Sequence, residues 1–442
     1  MSETASARRL VLDLLVRQHT QAAYSTIVLD HALRASALSA QDRSFAAALF
    51  YAVLERRLTL DAVIARYSTR PLERLAPVVL ECLRMGVCQL LYLDGVPDSA
   101  AVNESVKLVQ EAGQQRASGF VNAVLRSFLR ADKRLPKGKT PTEALSLTYS
   151  CPEWLVERFL LDYGEEKTHK ILMASLGRAP ITARVNTQKT SMRELAELLA
   201  SEGIDALPHP QVPDCLILSR TGSVEGLQAY RDGLFHVQDV SSQLCCAALA
   251  PKPGERVLDL CAAPGGKSFT MAQLMEGKGE VLSFDLHEKR VRLIEEGASR
   301  LGLSSITAKA GDAKEFNPSI PQADRVLCDV PCSGWGVIRR KPEMKYKPSE
   351  EWKPLPAIQL AILRNAARYV RPRGYLLYST CTLNRAENDE VVDAFLGENV
   401  MFEPEEFSLH GRSGAFSRLT LLPSPDGGDG FFLALFRHRS RD

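Results

Sequence analysis

The chain of 442 residues has little of what usually announces a function. It has no run of about 18 apolar residues, so no membrane-spanning helix is expected. Its N-terminus is polar and lacks the apolar core of a signal peptide, so the cytoplasm is the expected compartment and no membrane partner is expected. Histidine is sparse at eight residues, and the ten cysteines include no CxxC pair. That argues against both a zinc site and a disulfide framework, and no metal is expected. A net charge of +2 is close to neutral, so bulk charge makes no case for nucleic acid. Such a case has to rest on local clusters.

What is present is a long, apolar-rich chain, 45% hydrophobic and 24% charged, enough for two to four domains. Residues 8–131 read almost entirely as helix. Val121, Val124, Leu125, Phe128 and Leu129 follow the spacing of one buried helical face. Ser39 and Asp42 form a capping pattern, and Pro97-Asp-Ser99 opens a further helix. Between Arg116 and Lys139 lie Arg126, Arg130, Lys133, Arg134 and Lys137 against the single acid Asp132. This is a phosphate-contacting patch or a solvated helix end. Pro136 and Pro141 mark a boundary, giving an expected all-helical domain at 1–140.

Residues 145–235 read as a small α/β middle domain, with a helix opening at Pro152 and running through Tyr163, a strand at 181–185 and a helix capped by Ser191. His209 and His236 are given structural roles only. From about residue 236 to the end, strands and helices alternate. Strands are expected at 256–260, 280–285, 305–308, 324–329 and 374–379, with a helix at 288–301 among those between them. That alternation predicts a Rossmann-like, doubly wound parallel sheet. Residues 419–422 and 431–436, flanking the turn-rich stretch Pro425 to Gly430, predict a terminal antiparallel hairpin.

The first of these strands runs into Cys261-Ala-Ala-Pro-Gly-Gly-Lys-Ser268. Its Gly-Lys-Ser end imitates a phosphate loop, but that motif needs a glycine where Cys261 stands. Nor is there a GxGxxG for a nicotinamide cofactor. What remains is a glycine turn into a helix, with Asp285 about 20 residues on, where an acid meets ribose hydroxyls. A nucleoside without a pyrophosphate fits, and S-adenosyl-L-methionine is the expected cofactor. Asp312, after the third strand, is placed toward the adenine side of the same pocket.

Asp329-Val-Pro-Cys-Ser-Gly334 ends the fourth strand. Proline lacks the amide a ladder needs, so the chain must turn past Asp329, with Cys332 in the turn. Cys381 follows the next strand in Ser379-Thr-Cys-Thr382. A thiolate, a methyl donor and a carboxyl group suit methylation at C5 of cytosine. C5 becomes nucleophilic once a thiolate adds to C6, and a carboxyl group at N3 eases that addition. Spacing and chemistry leave the two thiols interchangeable.

These motifs resemble the RNA (cytosine-5) methyltransferases of the Nol1/Nop2/Sun family, as do Arg184-Val-Asn-Thr187 and Val237-Gln-Asp-Val-Ser-Ser242. Ala101-Val-Asn-Glu-Ser-Val-Lys107 and Phe120-Val-Asn-Ala-Val-Leu-Arg126 resemble the RNA-binding NusB proteins. Val330 departs from the alanine usual in the family, without expected consequence. The resemblance implies a catalytic domain at 236–442 that methylates 16S ribosomal RNA, with cytosine 967 as its target. It implies Cys381 as the nucleophile, Cys332 as the thiol assisting release, and Asp329 beside both the donor and cytosine N3. It implies donor contacts from Cys261, Ala262, Ala263, Pro264, Gly265, Gly266, Lys267, Asp285, Asp312 and Asp329. The presence of both cysteines favours RNA over DNA, and a monomer is expected. Arg339, Arg340, Lys341, Lys345 and Lys347, interleaved with Trp335 and Tyr346, predict phosphate contacts and base stacking. The cysteine has to reach C6, so the target base is expected to be unpaired or flipped. A transfer RNA substrate and a non-catalytic assembly factor are the rival functions.

Overall fold

The computed structural model describes residues 6–21, 25–424 and 427–440. It divides into two compact units: Met1–Gly177 with Ile338–Lys347, and Arg178–Val337 with Pro348–Asp442. Among the described residues no helix is long and apolar enough to cross a membrane.

The first unit is helical. Ser39 caps the helix Ala40–Tyr67, its side chain accepting from the Asp42 amide. Helix Ser118–Arg130 buries Val121, Val124, Leu125 and Phe128, with Leu129 half-buried at the margin. The most enclosed helix is Pro77–Tyr92, whose residues 79–90 are all buried. The unit continues past the prolines at 136–141. Thr59 donates to the Leu147 carbonyl at 2.6 Å and the Leu58 amide donates to Ser150 at 3.0 Å, fastening helix Pro141–Tyr149 to helix Ala40–Tyr67. The helix opening at Glu153 does not stop at Tyr163. It turns at Gly164, which takes φ 73°, and resumes to Ala174.

The second unit contains two sheets. The smaller is antiparallel, built from β1 (Ile181–Val185), β2 (Asp205–Pro208), β3 (Cys215–Ser219) and β4 (Phe235–Val237) in the order β2-β3-β1-β4. Helix Met192–Ser201 starts with a full capping box between Ser191 and Glu194.

The larger sheet has β5 (Arg256–Asp259), β6 (Glu280–Asp285), β7 (Ile306–Ala310), β8 (Ala323–Asp329), β9 (Val370–Thr380), β10 (Phe402–Pro404), β11 (Arg418–Leu421) and β12 (Phe431–His438). Its order is β10-β12-β9-β8-β5-β6-β7, with β11 on β12. Strands β5 to β9 run parallel. Val257, Val281, Leu327 and Leu377 face a core with Met271 and Ile294, whereas Leu258, Leu282, Val326 and Leu376 face one with Ile362, Leu363 and Phe395. Side chains alternate across a strand, so neighbours in sequence serve opposite cores and the sheet is covered on both faces.

The C-terminal hairpin forms as expected, with Pro425 and Asp426 outside the described residues. It does more than fold on itself: β12 extends the parallel sheet antiparallel to β9. The strand order reverses between β5 and β8, where the first strand has neighbours reached by crossovers in both directions. Ligands in such sheets bind beyond the strand ends at that point.

Candidate active site

Beyond β5 the chain turns through Gly265, at φ 109°, into helix Gly266–Leu274. A Cβ on Gly265 would lie 2.4 Å from the Phe269 ring, so space as well as backbone conformation requires glycine. The next glycine, Gly266, has open space, with nothing nearer to an added Cβ than 3.7 Å. Asp285, at the tip of β6, is 3% exposed and ties this loop down. It accepts from the amides of Ala263 (3.3 Å) and His287 (3.2 Å). Arg290 pairs with Asp285 at 3.3 Å and donates to the Ala263 carbonyl at 2.8 Å. Asp312 lies two residues beyond β7 and accepts from the Lys314 amide. Cys261 packs against the second core, and burial pushes its thiol well above the ordinary range.

Lys267 does not behave as a phosphate-loop lysine. Its Nζ lies 2.7 Å from Asp329 Oδ2 and 3.3 Å from Ser242 Oγ, over the Phe431 ring at 5.2 Å. Burial acts to lower its pKa, but the Asp329 carboxylate and the neighbouring thiols of Cys245 and Cys246 outweigh that, and the ammonium is held above its ordinary range. The cation a phosphate would need is committed to a carboxylate. What the loop offers a ligand is a glycine turn, a helix N-terminus and an acid with spare lone pairs. That donor set fits a nucleoside without phosphates, as in S-adenosyl-L-methionine.

Strands β8 and β9 are adjacent, with Asp329 opposite Ser379 in register. Ser379 Oγ donates to Asp329 Oδ1 at 2.9 Å, so both carboxylate oxygens are held. Past Asp329 the chain leaves the sheet at Pro331, and past Thr380 the neighbouring strand ends. The two following turns bring Cys332 Sγ and Cys381 Sγ to 3.3 Å. The hydrogen bond with Cys381, followed by burial, pushes the Cys332 thiol well above its ordinary value. Asp329, Cys332 and Cys381 thus form one group, with Lys267 joined to it through Asp329.

The expected site residues omit three others of this group. Ser242 and Ser379, both within stretches that carry the family resemblance, hold Lys267 and Asp329. Glu387, fully buried, accepts from the Ser333 amide at 2.9 Å and from the side-chain amides of Gln359 and Asn384, both at 2.9 Å. Its only sequence cue is nearness to the Thr-Cys motif.

One basic stretch is exposed, as both of its readings require, and the other departs from expectation. In the helical unit, Arg116, Arg126, Arg130, Arg134, Lys137 and Lys139 are exposed, while Lys133 pairs with Asp98 at 2.6 Å. The stretch 339–347 is not a loose, solvated loop. Lys345 is 1% exposed and donates to the Glu55 carbonyl at 2.8 Å, and the Tyr346 hydroxyl donates to the Leu54 carbonyl at 3.1 Å. Trp335 is 3% exposed and packs edge-to-face on Trp352, with ring centroids 5.4 Å apart. Base stacking by Trp335 or Tyr346, and a phosphate contact from Lys345, are therefore corrected: these side chains are packing groups.

Comparison with known proteins places this geometry in context. A family profile described as 16S rRNA methyltransferase RsmB/F matches residues 246–437. A NusB family profile matches 5–130, and one for a ferredoxin-like domain of RsmF/B-like methyltransferases matches 151–225. The chain is 40% identical to the probable ribosomal RNA small subunit methyltransferase B of Bacillus subtilis strain 168, over 98% of this chain and 99% of that protein. It is 35% identical to the ribosomal RNA small subunit methyltransferase B of Xylella fastidiosa strain Temecula1, over 89% of each. The solved structure of PH0851 superimposes with a TM-score of 0.81 at 25% identity, covering 99% of both chains. NSun6 from Pyrococcus horikoshii, solved with SFG, shares the fold over 66% of this chain and 99% of its own, with a TM-score of 0.59 at 24% identity.

Proposed function

The chain belongs to the 16S ribosomal RNA methyltransferase RsmB/F family, and from that premise we propose that it methylates C5 of one cytosine in 16S ribosomal RNA, cytosine 967. The reaction proceeds through a covalent bond between a cysteine and C6 of the base. S-adenosyl-L-methionine, held by Cys261 to Lys267 with Asp285, Asp312 and Asp329, supplies the methyl group. We further propose that residues 1–140 are an RNA-binding domain, 145–235 a small α/β middle domain and 236–442 the catalytic domain.

Cys381 attacks C6 as the thiolate, and the electron pair displaced from the C5–C6 double bond makes C5 nucleophilic. Asp329 holds the edge of the base at N3, where a hydrogen bond or proton stabilises the charge that attack creates. Lys267 keeps Asp329 in place, and Ser379 fixes its other oxygen. After C5 has gained the methyl group it still carries its original proton. A base removes that proton, the C5–C6 double bond re-forms, and the Cys381 sulfur departs. Cys332, in hydrogen-bond contact with Cys381, serves this release step.

The observation that carries the reading is the 3.3 Å approach of two thiols beyond adjacent strands, beside the Asp329–Lys267 pair. Methyl transfer from a labelled donor to protein-free 16S RNA tests it. Cys381→Ala is expected to abolish transfer, and Cys332→Ala to leave RNA covalently attached in a denaturing gel. Near-normal transfer by Cys381→Ala overturns the assignment of attack. Donor binding without transfer by the intact protein supports the rival reading of an RNA-binding assembly factor, and transfer to transfer RNA alone moves the substrate class.

A further inference from the structure

The ladder between β9 and β12 ends at Thr380 opposite Phe432, one residue short of Cys381. Beyond that pair, Gly336 is bonded to both chains. Its amide donates to the Cys381 carbonyl at 3.0 Å, and its carbonyl accepts from the Gly430 amide at 2.9 Å. A Cβ on Gly336 would lie 2.0 Å from the Gly430 oxygen and 2.8 Å from the Cys381 oxygen. A Cβ on Gly430 would lie 2.8 Å from the Gly336 Cα. Neither glycine has a positive φ, so space alone requires glycine at both positions.

The Gly430 side of this junction is anchored in turn. The Asp429 amide donates to both carboxylate oxygens of Asp239 at 3.2 Å, and the Asp429 carbonyl accepts from Ser241 Oγ at 2.7 Å. A Cβ on Gly428 would lie 2.3 Å from the same Ser241 oxygen. Asp239 caps the helix Val240–Leu249, whose Ser242 accepts from Lys267. Residues 428–430 thus form a strap from Asp239 and Ser241 to Gly336, and Gly336 reaches the Cys381 carbonyl. Across the same peptide unit, the Thr382 amide donates to Thr380 Oγ1 at 3.4 Å. A peptide unit is planar, so bonds at its carbonyl and its amide fix its plane, and they restrict where the Cys381 side chain points.

We propose that Gly336 and Gly430 are positioning residues for methyl transfer, holding the Cys381 peptide through backbone bonds so that its sulfur meets C6 of the base. The inference rests on the assignment of attack to Cys381. A side chain at Gly336 would meet carbonyl groups and not the yielding end of another side chain. Relieving the 2.0 Å overlap to ordinary contact at 3.4 Å moves one of the bonded chains by more than 1 Å. A misplacement of that size costs about 100-fold in rate where reacting groups must be aligned. The donor loop is tied down separately, by Asp285 and Arg290, so the loss falls on attack and not on donor binding.

The test mixes the full-length protein with S-adenosyl-L-methionine and a 16S RNA fragment carrying 5-fluorocytosine at the target base. Fluorine cannot leave C5 as a proton does, so the cysteine adduct accumulates and its rate is read in a denaturing gel. Affinity of the donor site is read separately, by calorimetry with S-adenosylhomocysteine. Gly336→Ala is expected to form the adduct about 100-fold more slowly, with donor-site affinity within about twofold of wild type. Gly430→Ala, whose Cβ meets its neighbours at longer distances, is expected to lose about tenfold in adduct rate. Adduct formation by Gly336→Ala at the wild-type rate overturns the proposal. Equal losses of adduct rate and donor-site affinity also overturn it, because they mark a packing role only. If Gly336→Ala does not fold, Ser241→Ala decides, since it removes the 2.7 Å bond at the anchored end of the strap and adds no bulk. It is expected to slow the adduct about fivefold, the weight of one hydrogen bond, and an unchanged rate overturns the proposal. Failure of the underlying reading looks different: Cys381→Ala would then still form the adduct, or the wild type would form none.

Discussion

Each of the two units shields a lysine from water, and the two meet opposite fates. Lys267, with 13% of its side chain exposed, faces the Asp329 carboxylate at 2.7 Å and is held charged. Lys345, 1% exposed in the helical unit, has as its hydrogen-bond acceptor a backbone carbonyl, that of Glu55. Burial pushes its pKa down to about 8. Burial alone drives an ionisable group toward neutrality, and a formal counter-charge reverses that. Asp259, under the donor loop, falls on the side of Lys345. It is 0% exposed, its Oδ2 accepts from Ser268 at 2.7 Å, and burial pushes it up to about 7. The Lys267–Asp329 salt bridge thus lies beside the thiols, while the buried carboxyl of Asp259 has its pKa raised by burial.

The comparison breaks first at Lys267. Lys267→Met leaves Asp329 without its cation and is expected to lower methyl transfer by about 100- to 1,000-fold, the usual cost of losing one electrostatic group in a site. Lys267→Arg should recover part of that. Transfer by Lys267→Met within twofold of wild type would show that Asp329 needs no counter-charge.

Asp259→Asn sharpens the contrast. The folded-state value of Asp259, about 7, lies above the unfolded carboxylate value. The stability this implies is fully present below about pH 4 and is lost as pH rises through 7. Urea melts of the wild type should therefore lose roughly 2–4 kcal/mol between those limits from this group, a loss that Asp259→Asn removes. Parallel pH profiles for the two proteins would show Asp259 ionised throughout.

The smallest effect is expected at Lys345. Its folded-state value lies below the unfolded lysine value, so the unfolded chain binds more protons between about pH 8 and 10.4 and the cost of burial is greatest below pH 8. Lys345→Met should stabilise the protein at pH 7 by about 1–2 kcal/mol after the lost hydrogen bond is deducted. The advantage should vanish by about pH 10. A destabilised variant at pH 7 would mean that Lys345 is charged and paired.

Much of the sheet is legible in the sequence because its signal is local. Val257 and Leu258 lie on opposite faces of one strand, and Pro331 stops a ladder wherever it occurs. The acids at 285, 312 and 329 are readable as strand-tip residues once the strands are placed. Lys345 and Tyr346 are not readable, since a basic, aromatic stretch looks the same whether it faces water or inserts among helices. The same is true of β12, whose continuous apolar run from Phe431 to Phe436 marks a strand but not its neighbour β9. Glu387 is hidden for a different reason. Its partners Ser333 and Gln359 are 54 and 28 residues away, and only the fold brings them to one carboxylate.

The segment Ile338–Lys347 also bears on the order in which the chain is completed. Lys345 and Tyr346 bond to carbonyls 290 and 292 residues earlier, on the helix Ala40–Tyr67. The N-terminal helices leave the ribosome well before the segment that fills their last gap. At about 5–20 residues per second, the stretch from residue 178 to 347 takes roughly 10–30 s to synthesise. During that interval the Leu54 and Glu55 carbonyls lack the bonds that Tyr346 and Lys345 later donate to them. The helical unit is begun first and closed late, after the Cys332 turn has been made.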